Sequence, residues 1–252
     1  MTTPWMLVTG GSRGIGAAVA RLAAAKGWAV AVNYASNERA AADVVAAIET
    51  NGGTALAVRG DVGSEADVLR MFEAVDRRGP LKALVNNAGV VDEASRLDAF
   101  TAERLDRMFR VNVLGTIICA REAVRRMSTV HGGTGGAIVN VSSAAAKLGA
   151  PGLYVDYAAA KGAVDTLTVG LAKEIAGEGV RVCAVRPGII ETEIHASGGQ
   201  PNRVAELTPS LPMRRAGSAE EVAKAILWLV SDEASYSTGA ILDVSGARSV
   251  LP

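Results

Sequence analysis

Cysteine and histidine are scarce in this chain of 252 residues. The two cysteines, Cys119 and Cys183, lie far apart in separate apolar runs, which predicts buried free thiols and no disulfide framework. The two histidines, His131 and His195, have no neighbours at metal-ligand spacing. The sequence therefore predicts neither a disulfide-stabilised scaffold nor a metal centre.

An excess of charge of one sign is also missing, as are long apolar runs. The 26 Lys and Arg residues balance 26 Asp and Glu residues, which gives no support for nucleic acid or an anionic membrane as the main partner. No apolar run approaches the ~18 residues that a membrane span requires. The first strand follows the start of the sequence so closely that we expect no signal peptide and a cytoplasmic protein.

Hydrophobic residues make up 49% of the chain, enough for a large core. Continuous apolar runs alternate with helical periodicity, which is typical of strands covered on both faces. The pattern predicts an α/β fold, a doubly wound Rossmann-type parallel sheet of about seven strands with helices on both faces. Strands are expected at 5–9, 28–33, 55–59, 82–86, 137–141, 180–186 and 240–244, and helices at 15–26, 38–50, 64–77, 101–127, 157–176 and 219–229.

One domain over 1–252 is the simplest organisation, since no linker or repeat interrupts the alternation. Residues 189–216 lack periodicity and are rich in Gly, Pro, Ser and Thr, which favours a lid over a substrate. Ser64 is expected to cap the third helix, with Asp67 at the capping-box position.

A glycine-rich turn with Gly10, Gly14 and Gly16 separates the first strand from the first helix. Such a turn lets a pyrophosphate approach the backbone and the N–H groups of the helix N-terminus. The alternative is a turn that only packs helix against sheet. Its position in the first unit of a long βαβ series favours dinucleotide binding.

The end of the second strand bears on the choice between NAD and NADP. An acid there would bind the ribose 2′-hydroxyl of NAD, but the strand ends Val32-Asn33-Tyr34-Ala35. Arg13, inside the glycine turn, offers a planar fork for a 2′-phosphate, and Arg39 is a second candidate. The sequence therefore favours NADP(H) over NAD(H).

Tyr157 and Lys161 are four residues apart, so on a helix they share one face. A fixed cation beside a phenol lowers the pKa of the tyrosine, which suits proton transfer. Ser142 and Ser143 end the preceding strand, where loops can carry function. The alternative is a tyrosine and a lysine on a helix surface.

A set of motifs in fixed order now covers nearly the whole chain. They are Thr9-Gly-Gly-Ser-Arg-Gly-Ile-Gly16, Asp61-Val62, Asn86-Asn-Ala-Gly89, Asn112, Val141-Ser-Ser143, Tyr157-Ala-Ala-Ala-Lys161 and Arg186-Pro-Gly188. This set resembles the short-chain dehydrogenase/reductase family, in its single-domain class of about this length. The resemblance implies hydride transfer between a nicotinamide and a carbonyl or secondary alcohol.

The resemblance also implies which residues bind the cofactor. Asn86 is not one of them, because it is expected to brace the sheet instead. Those implied are Gly10, Ser12, Arg13, Gly14, Ile15, Gly16, Asn33, Asp61, Val62, Asn87, Ala88, Gly89, Tyr157, Lys161, Pro187, Gly188, Ile190 and Thr192. Asp61 could instead simply start a turn.

The catalytic set implied by the resemblance is Asn112, Ser143, Tyr157 and Lys161. Tyr157 would exchange a proton with the substrate oxygen, which Ser143 would hydrogen-bond. Lys161 would hold the nicotinamide ribose and depress the pKa of the tyrosine, and Asn112 would help to anchor a water beside it.

Two assignments within this set need a decision. The family's usual spacing places the serine at Ala144, so a one-residue insertion between 149 and 156 is needed to give the role to Ser143. Tyr154 has no lysine four residues on, so we expect it to line the pocket and not to act as the acid.

The expected substrate is a small to medium ketone or alcohol. The wall near the nicotinamide is expected to be mostly apolar, without a fixed charge cluster; it comprises Val90, Val91, Ala144, Ala145, Leu148, Leu153, Tyr154, Ile189 and 189–216. His195 is either a substrate contact or a surface residue. Apolar stripes on the helices at 101–127 and 157–176 indicate either a subunit interface or core packing alone, and the resemblance implies a homotetramer or dimer.

Two other functions remain open on the same fold. One is a catalytically silent NADP-binding sensor or scaffold, which predicts a broken catalytic set, whereas all four residues are present here. The other is a lyase or epimerase. Relatives with those activities usually have a larger C-terminal substrate region than the sequence shows here, which argues against this function.

Overall fold

A parallel sheet of seven strands runs through the centre of the computed structural model, which describes residues 3–250. The spatial order is β3-β2-β1-β4-β5-β6-β7, as predicted for a doubly wound fold. The strands are β1 Trp5–Val8, β2 Ala29–Tyr34, β3 Thr54–Arg59, β4 Leu81–Asn86, β5 Gly136–Val141, β6 Val180–Pro187 and β7 Ile241–Val244.

Helices cover both faces of this sheet. They are α1 Gly14–Ala25, α2 Glu38–Thr50, α3 Glu65–Asp76, α4 Ala102–Phe109, α5 Gly115–Met127, α6 Ala145–Leu148, α7 Val155–Glu174, α8 Ile194–Ser197, α9 Arg203–Leu207 and α10 Ala219–Val230. Helices α1, α2 and α10 pack on one face, and α3, α5 and α7 pack on the other. None of the helices within 3–250 is long and apolar enough to cross a membrane.

Strand β1 shows why the apolar runs in the sequence are continuous. Met6 and Val8 belong to the core beneath α1 and α10, whereas Trp5 and Leu7 belong to the core beneath α3 and α5. Successive side chains point to opposite faces, and here both faces are covered, so every position must be apolar.

The long helix predicted at 101–127 forms, but it contains a π-turn at Arg110–Leu114. Asn112 lies inside this turn and is completely buried. Such a turn inserts an extra residue into a helix and is frequently found at functional sites. The periodicity of the sequence gave no indication of it.

The capping box predicted at the start of α3 is wrong. Ser64 does accept a hydrogen bond from the Asp67 N–H, but the Asp67 carboxylate accepts from the Asp61 N–H at 3.0 Å and not from Ser64. The reciprocal arrangement forms instead at α10, between Ser218 and Glu221.

The segment 189–216 crosses the carboxyl edge of the sheet and carries α8 and α9. Its two ends are joined, because the Gly217 N–H donates to Ile189 O and the Glu191 N–H donates to Gly217 O, each at 2.9 Å. In its middle, Gly198 packs so closely on Val91 that an added Cβ would lie 2.9 Å from a methyl group of that residue.

The winding direction reverses at β1, which has β2 on one side and β4 on the other. Ligands of open α/β sheets bind outside the carboxyl ends of the strands at such a point. Helix α1 starts there, and Gly16 in its first turn lies so close to the turn before it that an added Cβ would be 2.3 Å from Gly10 O.

We therefore predict that Gly16→Ala destabilises the protein by about 1–3 kcal/mol, because the new methyl group overpacks against backbone. The free energy of unfolding in urea measures this. Gly170→Ala is the matched control: Gly170 is an exposed helical glycine with no atom within 4 Å of an added Cβ, apart from its own helix and chain neighbours. There alanine should be neutral or stabilising by up to about 1 kcal/mol. Equal effects of the two substitutions would contradict the crowding.

Candidate active site

The glycine turn is held open by hydrogen bonds from β2. The Gly10 N–H donates to Asn33 Oδ1 at 3.0 Å, and the Gly11 N–H donates to Asn33 O at 2.8 Å. Gly10 and Gly14 have φ angles of +59° and +51°, in the left-handed region that favours glycine. The turn thus exposes backbone without side chains at the carboxyl end of β1, where the winding direction reverses.

Asn33 was predicted to bind the cofactor. In the structure its side chain forms hydrogen bonds to the protein backbone. It is 2% exposed, and its Nδ2 donates to Val58 O at 3.2 Å and to Gly60 O at 2.9 Å. The amide therefore joins the glycine turn to the end of β3. A direct contact of Asn33 with a cofactor stays a prediction.

The end of β4 is fastened to the same turn. Asn87 Nδ2 donates to Thr9 O and to Gly10 O, both at 2.9 Å, and the N–H groups of Asn87 and Ala88 donate to Thr9 Oγ1 at 3.0 Å. Asn86 points the other way, into the sheet, and donates to Asn140 Oδ1 at 2.9 Å. Asn86 thus braces the sheet, as the sequence suggested.

A cavity of about 590 Å³ lies along the turn, on the side of β2 and β3. Predicted cofactor residues line it: Gly10, Ser12, Arg13, Gly14, Ile15, Asn33, Asp61, Val62, Asn87, Ala88, Gly89 and Thr192. Gly16 lies behind the turn in α1 and supports it. We call this the outer cavity.

Four charged residues within 3–250 line the outer cavity, two arginines and two acids: Arg13, Arg107, Asp61 and Glu193. Arg13 is exposed on its wall, and no hydrogen bond or ion pair to residues 3–250 holds its side chain. Arg39, the second predicted arginine, is exposed but does not line this cavity. Asp61 lines it and also accepts from the Gly63 N–H at 2.9 Å, so it starts a turn as well.

A second cavity, of about 350 Å³, lies above the carboxyl ends of β5 and β6. It contains the other predicted residues: Ser143, Tyr157, Lys161, Pro187, Gly188 and Ile190. Ile15, Asn87, Gly89, Thr192 and Ile194 line both cavities. The two therefore form one cleft, whose glycine cradle has the bare backbone that a dinucleotide pyrophosphate requires. We call the second one the inner cavity.

Tyr157 and Lys161 lie on the first turns of α7, and both are buried. Lys161 Nζ donates to Val141 O, at the end of β5, at 2.8 Å and lies 5.6 Å from the centroid of the Tyr157 ring. The helix thus places both groups beneath the inner cavity, and the surface-pair alternative is wrong.

Burial controls the protonation of this pair. It raises the pKa of Tyr157 to about 12, against the opposing effect of a hydrogen bond with Ser143. It also lowers the pKa of Lys161 to about 8, although the carboxylate of Asp165 raises it. Burial has the largest effect on the pKa of Tyr157, and the expected lowering of this pKa by Lys161 stays a prediction.

The two serines at the end of β5 have different surroundings. Ser142 is 2% exposed, and its hydroxyl donates to Lys161 O beneath α7 at 3.2 Å. Ser143 accepts from the Ala145 N–H at 3.1 Å and interacts with the Tyr157 hydroxyl. Ala144, at the family's usual serine position, is buried. This geometry favours Ser143 as the residue beside the acid.

Asn112 fastens the π-turn to the loop after β4. Its Nδ2 donates to Val90 O and to Met108 O, both at 3.0 Å, and its Oδ1 accepts from the Val90 N–H at 3.2 Å. A Cβ on Gly89 would lie 2.8 Å from Asn112 Oδ1 and 3.5 Å from Lys161 Nζ, so these two atoms are at most about 6 Å apart. Asn112 therefore lies near Lys161, and a water anchored between them stays a prediction.

The wall of the inner cavity is only partly as expected. Val91, Ala145, Leu148, Leu153, Tyr154 and Ile189 line it, whereas Val90 lines the outer cavity. The expectation of no charge cluster is wrong, because Arg203 and Arg248 also line it. Arg203 comes from α9, and Arg248 follows β7. No spacing in the sequence connects either with Tyr157; only the fold brings them to this edge.

His195, which the sequence left open, lines the inner cavity as well. Its Nε2 is buried with no hydrogen-bond partner among the described residues. Burial, and then the charge of Arg203, lower the pKa of this imidazole. The lowered pKa favours the neutral imidazole near pH 7, and a contact of His195 with substrate stays a prediction.

Comparison with known proteins agrees with this geometry. A family model described as "Enoyl-(Acyl carrier protein) reductase" matches residues 10–247. The chain belongs to the short-chain dehydrogenase/reductase family, and it is an oxidoreductase of that type.

Its relatives include proteins of differing activity. It is 54% identical to "Uncharacterized oxidoreductase YgfF" of Escherichia coli K12 over 96% of this chain and 98% of that protein. It is 39% identical to 3beta-hydroxysteroid dehydrogenase 1 of Eggerthella lenta, over 98% and 94%. A short-chain dehydrogenase from Burkholderia cenocepacia J2315, solved in complex with NADP, is 33% identical with a TM-score of 0.87 over 96% of each chain.

The pKa of about 12 predicts that Tyr157 stays protonated at pH 10.5 in the cofactor-free protein. An ordinary tyrosine, with a pKa near ~10, would be mostly ionised there. Absorbance at 295 nm, measured for the wild type and for Tyr157→Phe, isolates this residue. The difference between the two should show no tyrosinate at pH 10.5, with far-UV circular dichroism confirming that both remain folded. A tyrosinate difference that appears below pH 10 would contradict the dominance of burial.

Proposed function

We propose that this protein is an NADP(H)-dependent dehydrogenase/reductase that interconverts a ketone and a secondary alcohol. The observation that carries the proposal is the cleft itself. Its outer end is a glycine cradle beside Arg13, and its inner end holds Tyr157, Ser143 and Lys161 together. When bound, NADP(H) supplies or accepts the hydride in this chemistry.

Tyr157 is the proton donor during reduction. A pKa raised to about 12 keeps the phenol protonated at neutral pH, so it can deliver its proton to the carbonyl oxygen as negative charge develops there. The Ser143 hydroxyl supplies a second hydrogen bond to that oxygen. In the reverse direction Tyr157 must first lose its proton, which its burial opposes.

Lys161 and Asn112 position the groups around this proton transfer. Lys161 is anchored to Val141 O through one of its three N–H donors, which leaves the others for the nicotinamide ribose. Asn112 holds the adjoining loop through Val90 O, lies near Lys161 and would help to anchor a water beside it. Pro187, Gly188, Ile190 and Thr192 form the nicotinamide side of the cleft.

The preference for NADP(H) is supported by charge at the outer cavity. The residues that end β2 and lead into α2, from Asn33 to Asn37, include no acid, so no carboxylate there repels a 2′-phosphate. Arg13 is exposed on the cavity wall and unpaired within 3–250. The Burkholderia protein of similar fold was solved with NADP.

We also propose self-association, as a homotetramer or dimer. Phe109, Leu114, Ile117 and Val169 are large apolar residues that are exposed near or on α5 and α7. Met108 and Val164, by contrast, are core residues. The cytoplasmic location expected from the sequence stays a prediction.

Tyr157→Phe should lower kcat by about 10²- to 10⁴-fold, because it removes the general acid and keeps the ring. NADPH oxidation at 340 nm with a panel of ketones measures this, and NADPH binding by fluorescence should be unchanged. Tyr236→Phe is the control, since that side chain is fully exposed. Full activity of Tyr157→Phe would exclude the mechanism, and tight NADPH binding without turnover by the wild type would favour the silent sensor or scaffold.

Arg13→Gln should raise the KM for NADPH about tenfold or more, through loss of a charged hydrogen bond, and leave the KM for NADH nearly unchanged. Arg39→Gln is the matched control, since this exposed arginine lies off the cavity wall. Initial rates with the two cofactors distinguish the outcomes. Unchanged discrimination in Arg13→Gln would remove the main support for NADP(H).

A further inference from the structure

Within residues 3–250, the inner cavity is lined by cationic side chains and by no carboxylate side chain. Lys161, Arg203 and Arg248 line it, and no aspartate or glutamate is among its lining residues. Lys161 is accounted for by the proposed catalysis, but the two arginines are not.

Arg203 is fixed in place and yet incompletely satisfied. It is 9% exposed, and its guanidinium carbon lies 5.4 Å from the centroid of the Tyr154 ring. One arm donates to Gln200 Oε1, whereas Nε is buried and has no partner. Stacking on the ring and the bond to Gln200 hold the planar fork in one orientation.

Arg248 is a half-buried neighbour of Arg203. It forms no ion pair with any carboxylate of residues 3–250, and neither does Arg203. Burial, and then the like charge of Arg203, lower the pKa of Arg248. The two guanidiniums thus repel each other in a partly desolvated space.

Other arginines with little exposed surface have polar partners for their guanidiniums: Arg181 donates to the main-chain oxygens of Leu229, Val230 and Ser231, and two more are paired with carboxylates. Arg104 contacts the Asp156 carboxylate at 2.8 Å, and Arg186 contacts that of Asp165 at 2.9 Å. Buried charge is costly unless it is paired and hydrogen-bonded. Two unpaired arginines in one cavity are therefore the arrangement of a site whose missing partner is an anion.

The distance from the arginines to the acid limits the ligand. The centroids of the Tyr157 and Tyr154 rings are 5.8 Å apart. The guanidinium carbon of Arg203 lies 5.4 Å from the Tyr154 centroid. The guanidinium is therefore no more than about 11 Å from the Tyr157 ring. A single small molecule can contact both.

We propose that the substrate carries an anionic group, in the simplest case a carboxylate, which Arg203 and Arg248 bind while its carbonyl or hydroxyl carbon lies beside Tyr157. This deepens the proposed function and rests on it. The site is distinct from that for the cofactor 2′-phosphate, since Arg13 lies on the outer cavity and neither of these arginines does.

The test uses a series of methyl ketones of increasing chain length, each ending in a carboxylate. The kcat/KM for each acid is compared with that for its methyl ester. The wild type should show kcat/KM about 10- to 100-fold higher for the best acid than for its ester, as expected for a charged, bidentate contact. Arg203→Gln, Arg248→Gln and the double variant should lose that ratio mainly through KM, while their activity on the ester persists and reports intact folding. Arg203→Lys should recover only part of it.

Arg214→Gln is the matched control, because it removes the same charge from the same segment outside the inner cavity. Its acid-to-ester ratio should equal that of the wild type. Turnover of esters with no preference for acids, unaffected by the arginine variants, would overturn the proposal and leave the proposed function intact. If no ketone is reduced, the proposed function fails; thermal stabilisation by the acids over the esters, with NADP present, then decides whether the arginines bind an anion.

Discussion

The close approach of α1 to the glycine turn is the constraint on which the cleft depends. A Cβ on Gly16 would lie 2.3 Å from Gly10 O and 2.5 Å from Asn87 Nδ2, so only hydrogen fits there. The same Asn87 nitrogen holds Thr9 O and Gly10 O, and Asn33 Oδ1 holds the Gly10 N–H. Strands β1, β2 and β4 are therefore fixed to one another at their carboxyl ends before any ligand arrives.

The inner end of the cleft is dominated by a different effect, the burial of the charged side chains Lys161 and Arg203. Lys161 has one hydrogen bond, to Val141 O, and its pKa is lowered to about 8, so its protonation is sensitive to what surrounds it. Arg203 has a single side-chain hydrogen bond, to Gln200 Oε1, and its buried Nε has no partner among the described residues. One cation of the cavity can adjust its charge, and the arginine must find a partner.

The sequence predicted what is encoded locally and missed what only the fold brings together. The seven-stranded parallel sheet, the positions of its strands and main helices, and the shared face of Tyr157 and Lys161 follow from periodicity and spacing, and they agree with the structure. The π-turn at Asn112 could not be predicted, because one extra residue in a long helix barely changes the periodicity. Nor could Arg203 and Arg248, which reach the cavity from an irregular segment and from the end of the last strand. The pKa of Tyr157 depends on burial, which spacing does not report.

The segment 189–216 contributes to the walls of both the cofactor cleft and the substrate cavity, which limits how its length can change. Thr192, near its start, packs beside Gly14, and Arg203, further along, stacks on Tyr154, while the ends of the segment are closed by the bonds between Ile189, Glu191 and Gly217. An insertion or deletion between these points shifts the wall of the cofactor cleft and the wall of the substrate cavity together. A change of side chain at position 203 alters only one of them. A point substitution in this segment can therefore alter the substrate cavity without moving the cofactor cleft, whereas a change in the length of the segment cannot.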